Sequence, residues 1–343
     1  MQRMFVGQVL LNYNFLICKI KELVNRFSRL PASLLLLLTI HWHNAFSQKN
    51  DLEEHNLNGS VKSVLYTSYK AVLQGDTIIK GQHQWESNLR GDRLIIYNNK
   101  GYLIEEYDYN ASRQLASFYR GILDTNGREY EGIMYDVEDN DTVLVSKTIF
   151  KYDDNGNQIL EHVEHHGHYI YENEDSILDY HFIYDNNNQK IKQYGGRYGW
   201  YTVYIYNKVG WLTEEQVYDS TNHLIINKLY KYNKFGNRIE DKEVRIDSKG
   251  EKTTKCSQFK WSKKGYVSEY IECDANCKPL GRTLEDYDDL NRRIKYQEVN
   301  SYGELVVTYT YSYKDDKYGN WVQQYVYREG KPVYIIEREI KYY

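Results

Sequence analysis

The chain has 343 residues, of which 41% are hydrophobic and 27% charged, with a formal net charge of −4. A mean hydropathy of −0.75 excludes a helical multi-span membrane protein, and the composition excludes a collagen-like or disordered chain. Tyrosine is the outlier, with 37 copies against 9 Phe and 6 Trp. Because tyrosine favours strands and joins an apolar ring to a polar hydroxyl, this enrichment predicts an all-β protein whose sheets are only partly shielded from water.

The first 47 residues have the order of a secretory signal. A basic region precedes the apolar run Leu30–Ile40, and the small residues Ala45 and Ser47 follow. The apolar run is too short to span a bilayer. We therefore expect residues 1–47 to be a signal peptide that is cleaved near Ser47. A start codon assigned too early would explain the long basic region, and an uncleaved anchor is the alternative.

Removing residues 1–47 takes away five basic residues and one acid, which leaves 39 basic and 47 acidic residues and a net charge of −8. A mildly acidic surface with scattered bases is a poor match for nucleic acid or anionic lipid. We expect no nucleic-acid partner, no cofactor and no membrane span in the mature chain. The expected location is secreted or in the cell envelope.

A repeat organises the rest of the chain. An aromatic residue, a polar turn and an apolar residue recur, with intervals of 55, 32, 22, 26, 29, 26 and 26 residues between the aromatic positions. We name this aromatic residue the anchor, and the eight anchors are Tyr97, Tyr152, Tyr184, Tyr206, Tyr232, Trp261, Tyr287 and Tyr313. The first interval is wide enough for a further, degenerate unit, which we expect around Tyr109–Leu115.

The residues after each anchor favour a turn. Asp or Asn follows most anchors and can accept hydrogen bonds from the backbone two residues on. Gly closes most of these turns, and Asn188 and Asn291 take its place in two of them, since both residue types tolerate the left-handed conformation. A second polar turn lies between successive anchors. Each repeat is therefore predicted to be strand, turn, strand, turn, with strands of about 8–10 residues.

Tandem hairpins must share a hydrophobic face because one hairpin is unstable alone. Aromatic residues two positions before the anchors, such as Phe150 and Tyr230, predict a continuous band of rings on the anchor side of the sheet.

About sixteen strands exceed the ~10 that an open twisted sheet usually reaches. We expect N-terminal cap strands over residues 48–89 and an all-β antiparallel sheet of hairpin repeats over residues 90–343. The sheet should curl into a spiral, a shell wall or a closed barrel, and the open spiral or shell-like wall is the form we favour.

The segments Tyr152–Asn157, Tyr232–Asn237 and Tyr287–Arg292 resemble the YD repeats of Rhs-type bacterial cell-surface proteins. The resemblance covers residues 90–343 in degenerate form. It implies long antiparallel strands wound into a sheet-walled shell, an exported location and a carbohydrate-binding role. Two features depart from the family: Gly-Asn-x-Ile mostly replaces Gly-Arg-Leu after the turn, and neither an autoproteolytic core sequence nor a toxin-like domain is recognisable.

Aromatic residues beside turns are the best ligand candidates because they need not serve the core. Segment 194–201 departs from the repeat and contains three glycines among aromatic residues. Rings in such places stack on the flat faces of sugars, although a purely structural band and a merely flexible loop are the alternatives. The candidate ligand-binding residues are Trp200, Trp211, Trp321, Tyr198 and Tyr201.

The densest group of metal-ligating side chains lies in segment 161–168. On an extended strand, His162, Glu164, His166 and His168 would share one face, and this donor set suits zinc or copper. The alternative is a solvated polar strand edge, which is the reading we favour.

Three cysteines follow the signal segment. Cys273 and Cys277 flank the turn Asp274–Asn276, and Cys256 lies on the strand expected to pair with that of Cys273. In an oxidising compartment we expect one disulfide among the three and one thiol left over. A metal site is the weaker reading because the spacing matches no zinc motif.

No phosphate loop, HExxH or GxSxG pattern occurs in the sequence. The sequence therefore favours an exported, non-enzymatic repeat protein that acts as an envelope scaffold or as a binding surface for a glycan or an envelope protein. An outer-membrane β-barrel is the first alternative, suggested by the strand count and the aromatic C-terminus, although Glu240–Asp247 lacks apolar alternation. A secreted glycoside-processing enzyme is the second alternative.

Overall fold

The computed structural model describes residues 50–84, 92–138, 141–166 and 176–343, so the expected signal segment 1–47 lies outside the described residues. The described chain has one short helix and 21 strands in a single antiparallel sheet, which confirms the all-β prediction. None of its helical structure is long and apolar enough to cross a membrane. The elements are α1 Asp51–Glu54, β1 Val61–Gln74, β2 Thr77–His83, β3 Arg93–Tyr97, β4 Leu103–Tyr109, β5 Leu115–Leu123, β6 Glu129–Glu138, β7 Asp141–Tyr152, β8 Gln158–His165, β9 Ser176–Tyr184, β10 Lys190–Gly195, β11 Trp200–Tyr206, β12 Leu212–Tyr218, β13 Leu224–Tyr232, β14 Arg238–Ile246, β15 Lys252–Trp261, β16 Val267–Cys273, β17 Pro279–Tyr287, β18 Arg293–Val299, β19 Leu305–Asp315, β20 Trp321–Arg328 and β21 Lys331–Tyr342.

The sheet closes on itself at β1. One edge of β1 pairs with the last strand, β21, from Val61 opposite Tyr342 to Lys70 opposite Tyr334. The other edge pairs first with β3 and then with β2, so these two strands share one place beside β1. Every other strand pairs with its sequence neighbours, and the result is a ring of 20 strands.

Closure corrects the sequence-based expectation of an open spiral or shell-like wall. The repeat pattern specifies each hairpin through residues close in sequence, whereas closure joins β1 to β21, whose side chains Tyr66 and Arg338 bond at 2.9 Å across 272 residues. Segment 48–89, expected to supply cap strands, contains the strand that completes the wall.

The turns after the anchors share one geometry. After Tyr152, the Asp153 N–H donates to the carbonyl oxygen of Asn157 at 2.9 Å, and the Gly156 N–H donates to that of Asp153 at 3.0 Å. Asp153 Oδ1 also accepts from the N–H of Asn157 at 2.8 Å. Gly156 has a left-handed φ of 86°, and the pairing shifts by one residue at Tyr152. This is a type I turn closed by a β-bulge, a standard connection between twisted strands.

Asn188 and Asn291 occupy the left-handed position with φ values of 60° and 66°, which confirms their predicted role. The turn expected around Tyr109–Leu115 is present with the same backbone bonds and a left-handed Arg113, but it lies at the opposite end of the barrel. The missing anchor-type turn is 124–128, which has the same backbone bonds. It follows Leu123 rather than an aromatic residue, so it lacks the aromatic signature of the other anchor-end turns. We name the end of the barrel that carries these turns the anchor end.

Six anchors tie their hairpin to the preceding one. In each case the ring donates a hydrogen bond to the backbone carbonyl oxygen of the first residue of the neighbouring strand. The bonds run from Tyr152 to Glu129 (2.6 Å), Tyr184 to Gln158 (2.9 Å), Tyr206 to Lys190 (2.9 Å), Tyr232 to Leu212 (2.6 Å), Trp261 to Arg238 (2.7 Å) and Tyr313 to Arg293 (2.7 Å). The polar tip of the ring therefore satisfies a carbonyl group beside the bulge, which explains why these anchors are Tyr or Trp and never Phe.

The two faces of the wall differ in exposure. On β9, Tyr180, Phe182 and Tyr184 are half-buried, whereas Ile177 on the other face is 67% exposed and Ile183 is also exposed. Burial raises the pKa of Tyr184, as it does for the anchors on the neighbouring strands. We name the face that carries the anchors the anchor face and assign it to the interior of the barrel, where curvature crowds side chains and excludes water.

The seam between β1 and β21 holds the main hydrophobic core. Val61, Val64 and Tyr97 are fully buried there, and the helix α1 packs Leu52 against them. Asn320, which is buried in the last anchor-end turn, accepts from the Asn58 N–H at 2.7 Å and donates to the Asn58 carbonyl oxygen at 2.8 Å. Asn320 therefore binds the N-terminal segment to the last anchor-end turn, beside the seam where β1 pairs with β21.

We expect Tyr232→Phe to lower the free energy of unfolding by about 1–2 kcal/mol, because the Leu212 carbonyl oxygen loses its donor while the ring remains. Urea unfolding measures this change. The control is Tyr302→Phe, since Tyr302 is 87% exposed in a turn. Equal stability of the two variants would contradict the structural role of the anchor hydroxyl.

Candidate functional site

Basic side chains lie between rings on the anchor face. The Lys190 ammonium is 5.4 Å from the ring centre of Phe182 and 4.5 Å from that of Tyr204. The Arg238 guanidinium is 4.9 Å from the ring of Tyr230. Each such contact contributes about 0.5–2 kcal/mol, depending on how far water is excluded. Lys190 thus links rings of two neighbouring hairpins on the inner face, and Arg238 does so through Phe259, whose ring centre is 5.8 Å away.

Acidic side chains share this inner face. Burial raises the pKa of Glu129 to about 7, and the nearby acids Asp51 and Glu161 raise it further. Burial raises the pKa of Asp241 to about 6, although Arg238 opposes the shift. The inner wall therefore combines aromatic rings with ionisable groups that are partly withdrawn from water.

Glu129 lies over a gap in the wall made by two glycines. Gly121 and Gly132 are opposite each other on β5 and β6, and a Cβ atom on Gly132 would meet the Tyr119 hydroxyl at 2.6 Å. The Tyr119 hydroxyl donates to the Glu129 carboxylate. The glycine pair thus makes room for this ring and carboxyl group.

A pocket of about 220 Å³ lies at the end of the barrel opposite the anchor end, under the turn between β10 and β11. Side chains on the inner face of four successive strands form one part of it, and the turn forms the other. The lining residues are Tyr180, Gln193, Tyr194, Gly195, Gly196, Arg197, Tyr198, Trp200, Thr202 and Val217.

The pocket pairs aromatic rings with hydrogen-bonding groups. The rings of Tyr198 and Trp200 are 5.5 Å apart and remain 65% and 44% exposed. Tyr204 donates to Gln193 Oε1 at 3.0 Å, so the amide nitrogen of Gln193 is the end left to donate to a ligand. Thr202 adds a hydroxyl group to the lining. Exposed ring faces beside a few polar groups are the usual means of orienting an amphipathic ligand.

Glycines bring the turn close to β9. The Gly196 N–H donates to the Asp179 carbonyl oxygen at 2.8 Å, and any Cβ on Gly195 would collide with that same oxygen. A Cβ on Gly196 would approach the Tyr180 ring to 2.8 Å. The segment departs from the repeat because this close approach excludes larger residues.

Of the five predicted ligand residues, the structure brings together Tyr198 and Trp200. Tyr201 lies on the outer face and stacks on Tyr218 at 4.9 Å. Sequence reasoning missed Gln193 among the lining residues. The position of Gln193, two residues before the glycines, is visible in the sequence. That its side chain points into the barrel depends on the register of β10 and is not.

The other two predicted tryptophans lie away from this pocket. Trp211 packs on the anchor Tyr232 with ring centres 5.4 Å apart. Trp321 lies 4.1 Å from the Arg338 guanidinium near the seam. Both have structural partners, which their positions next to turns did not reveal.

Three of the four predicted metal ligands lie within the described residues. His162 and Glu164 share a face of β8 at 3.2 Å, and Asp179 bonds the other ring nitrogen of His162 at 2.6 Å. Asp179 chiefly raises the pKa of His162, with a further contribution from Glu164. His166 follows the end of the strand, with its Nε2 3.8 Å from Glu164, and His168 lies outside the described residues. The expected common face therefore extends over His162 and Glu164, where carboxylates already engage the imidazole.

The structure joins Cys256 to Cys277, with their Cα atoms 5.4 Å apart, and leaves Cys273 as a buried thiol. Among the described residues, Glu240 with these two sulfurs forms the group of potential metal ligands within 4.8 Å of one another. Because the two sulfurs are bonded to each other, they do not offer a thiolate pair to a cation.

No protein-family model matches the chain, and no curated protein matches it. A porin-like protein from Bacteroides uniformis is 8% identical with a TM-score of 0.31, and the match covers 83% of this chain and 98% of that one. TcdB2-TccC3 is 12% identical with a TM-score of 0.28, over 71% of this chain and 16% of that one. A porin-like protein from Bacteroides vulgatus is 11% identical with a TM-score of 0.24, over 82% and 98%. These loose likenesses carry no functional conclusion.

We expect stability to rise as the pH falls from about 8 to about 5. The folded-state pKa values of Glu129 and Asp241, about 7 and about 6, exceed the ~4.3 and ~3.9 of unfolded Glu and Asp. The folded protein therefore binds more protons in this range, and the free energy of unfolding decreases with rising pH. Glu129→Gln should remove about half of this dependence, on the order of 1–3 kcal/mol.

Urea unfolding across this pH range measures the effect. The matched control is Glu339→Gln, because Glu339 is an exposed residue of β21. An unchanged pH dependence in Glu129→Gln would show that Glu129 titrates alike in both states.

Proposed function

We propose that the chain is a non-enzymatic β-barrel of the cell envelope that binds a glycan at the mouth opposite the anchor end. The pocket beside Tyr198 and Trp200 carries this proposal, because it joins exposed ring faces to the Gln193 amide and the Thr202 hydroxyl. Ring faces stack on sugar C–H groups, while amide and hydroxyl groups bond sugar hydroxyls. The expected secretory signal and the sequence resemblance to YD repeats are consistent with the same function.

The size of the pocket suits one sugar unit of a longer chain. Its volume of about 220 Å³ is below the ~300–1,000 Å³ typical of sites for drug-sized ligands. It lies at the mouth of the barrel, so the rest of a glycan can extend into solvent or along the aromatic inner wall. The exposed Tyr198 ring is placed to contact a neighbouring unit.

The composition of the lining favours binding over hydrolysis. Most glycoside hydrolases act with two carboxyl groups flanking the scissile bond. The lining residues of this pocket include aromatic, amide, hydroxyl and guanidinium groups and no carboxyl group. This supports a binding role over the glycoside-processing alternative.

An outer-membrane barrel is the second candidate, and closure favours it. A ring with an even number of antiparallel strands has no free edge, as a bilayer-spanning sheet requires. The outer face, however, carries ion pairs within the strands, including Lys147 with Glu131 at 3.3 Å and Arg120 with Glu105 at 3.0 Å. Each outward Lys or Arg at the bilayer midplane costs about 2–4 kcal/mol. We therefore propose that both faces contact water.

Release of the expressed protein without detergent would support this, and a requirement for detergent would favour the membrane barrel.

We expect Trp200→Ala to weaken glycan binding at least tenfold, because it removes the ring face from the pocket. A glycan array screened with the exported protein identifies the ligand, and titration calorimetry measures the loss. The control is Tyr302→Ala, which removes an exposed ring from another turn at the same end of the barrel. Equal affinity of Trp200→Ala and the parent protein would place the binding site elsewhere, and absence of binding to all glycans would refute the proposed function.

A further inference from the structure

Three cysteines cluster on the outer face where β15, β16 and the following turn come together. Cys256 on β15 is directly opposite Cys273 on β16, and its disulfide partner is Cys277 in the turn. Cys273 is a buried thiol, and it packs with Cys256, Cys277 and Ile271 in one cluster. Cys256 is therefore bonded to Cys277 and is also the cross-strand partner of the free cysteine Cys273.

Cys277 lies at a strained corner of its turn. Its φ of 61° is left-handed, as is that of Arg113 in the equivalent turn between β4 and β5, whereas Gly or Asn fills this corner in the anchor-end turns. A Cys with positive φ is conformationally costly compared with Gly. The turn geometry does not require a Cys at this corner, and the bond that its sulfur forms with Cys256 is the contact that distinguishes the residue.

The alternative pairing is also geometrically accessible. Directly opposed residues of antiparallel strands have Cα atoms ~4.5–5.5 Å apart, and disulfides span ~4.4–6.8 Å between Cα atoms. Cys256 and Cys273 are such a pair. Cys256 can therefore bond with Cys277 or with Cys273 without a change in strand register.

We propose that Cys256, Cys273 and Cys277 form an internal thiol–disulfide exchange site that moves a free thiol between the strand and the turn. The Cys273 thiolate attacks the Sγ atom of Cys256, the Cys256–Cys277 bond breaks as the Cys256–Cys273 bond forms, and Cys277 leaves as a thiolate. Cys277 takes up one proton in place of the proton that Cys273 released. One disulfide and one thiol are present before and after, so the step needs no external oxidant or reductant.

Exchange moves the free thiol from a buried position to a surface turn. In the resting pairing the thiol is on Cys273, where burial raises its pKa and the acids Asp274, Glu240 and Glu272 add to the effect. After exchange the thiol is on Cys277, a half-buried residue of a surface turn. The site therefore stores a protected thiol and presents it at the surface to an electrophile or to the disulfide of another envelope molecule.

Trapping with N-ethylmaleimide tests this exchange in the intact folded protein. Cutting at Lys260–Lys264 separates Cys256 from Cys273, and cutting before Asp274 separates Cys273 from Cys277. Mass spectrometry of the fragments then identifies the labelled thiol and the disulfide. We expect the label on Cys277, together with a Cys256–Cys273 disulfide, to accumulate with time. In Cys273→Ser, which lacks the attacking thiol, Cys277 should remain unlabelled.

Two results would overturn the proposal. One is label on Cys273 with the Cys256–Cys277 bond intact, and the other is no label on either residue over a period that fully labels the unfolded chain. Cys277→Gly provides a second test that restores the usual turn residue. This variant should form the Cys256–Cys273 disulfide, so that neither residue reacts after unfolding, whereas labelling of both would contradict the alternative pairing.

Discussion

The structure depends on the pairing of both edges of β1. Backbone N–H and C=O groups at a sheet edge need partners, and a wall of repeated hairpins has one unpaired edge at each end. Here β21 and the consecutive strands β2 and β3 cover the two edges of β1, so the ends of the wall satisfy each other. Closure also buries Val61, Val64 and Tyr97 in the core of the seam. The same repeat without this seam would remain an open and exposed sheet.

Tyrosine suits this wall because most anchors combine two contacts in one side chain. Its ring packs between neighbouring hairpins, and its hydroxyl satisfies a carbonyl group beside a β-bulge, as Tyr206 does for Lys190. A phenylalanine ring would pack in the same way but would leave the carbonyl oxygen without a hydrogen-bond donor. The barrel thus gains cohesion from many modest bonds along its inner face, since large parts of the wall lack fully buried side chains. Such a wall leaves ring faces exposed at its mouth, where Trp200 lies.

The sequence could predict what short-range chemistry determines. Asp or Asn after the anchor and Asn291 at the turn corner specify the hairpins locally, so strands and turns followed from them. The strand count allowed a closed barrel as one of three forms, but the sequence could not select it, because closure depends on pairing between distant strands and on the small twist that each hairpin adds. The candidate site was predicted in part: Trp200 stood out in an irregular segment, whereas Gln193 required the register of β10. Trp321 looked exposed beside a turn until the structure placed it against Arg338.

An engineered cross-link across the seam tests closure most directly. Leu65 and Glu339 are directly opposite on β1 and β21, whereas Lys331 lies at the far end of β21. The pair Leu65→Cys with Glu339→Cys should form a disulfide during oxidation of the folded protein, and Leu65→Cys with Lys331→Cys should not. Mass spectrometry of the linked peptides separates these bonds from those of the native cysteines. Failure of the Glu339→Cys pair to link, or equal linking by both pairs, would show that the wall is open.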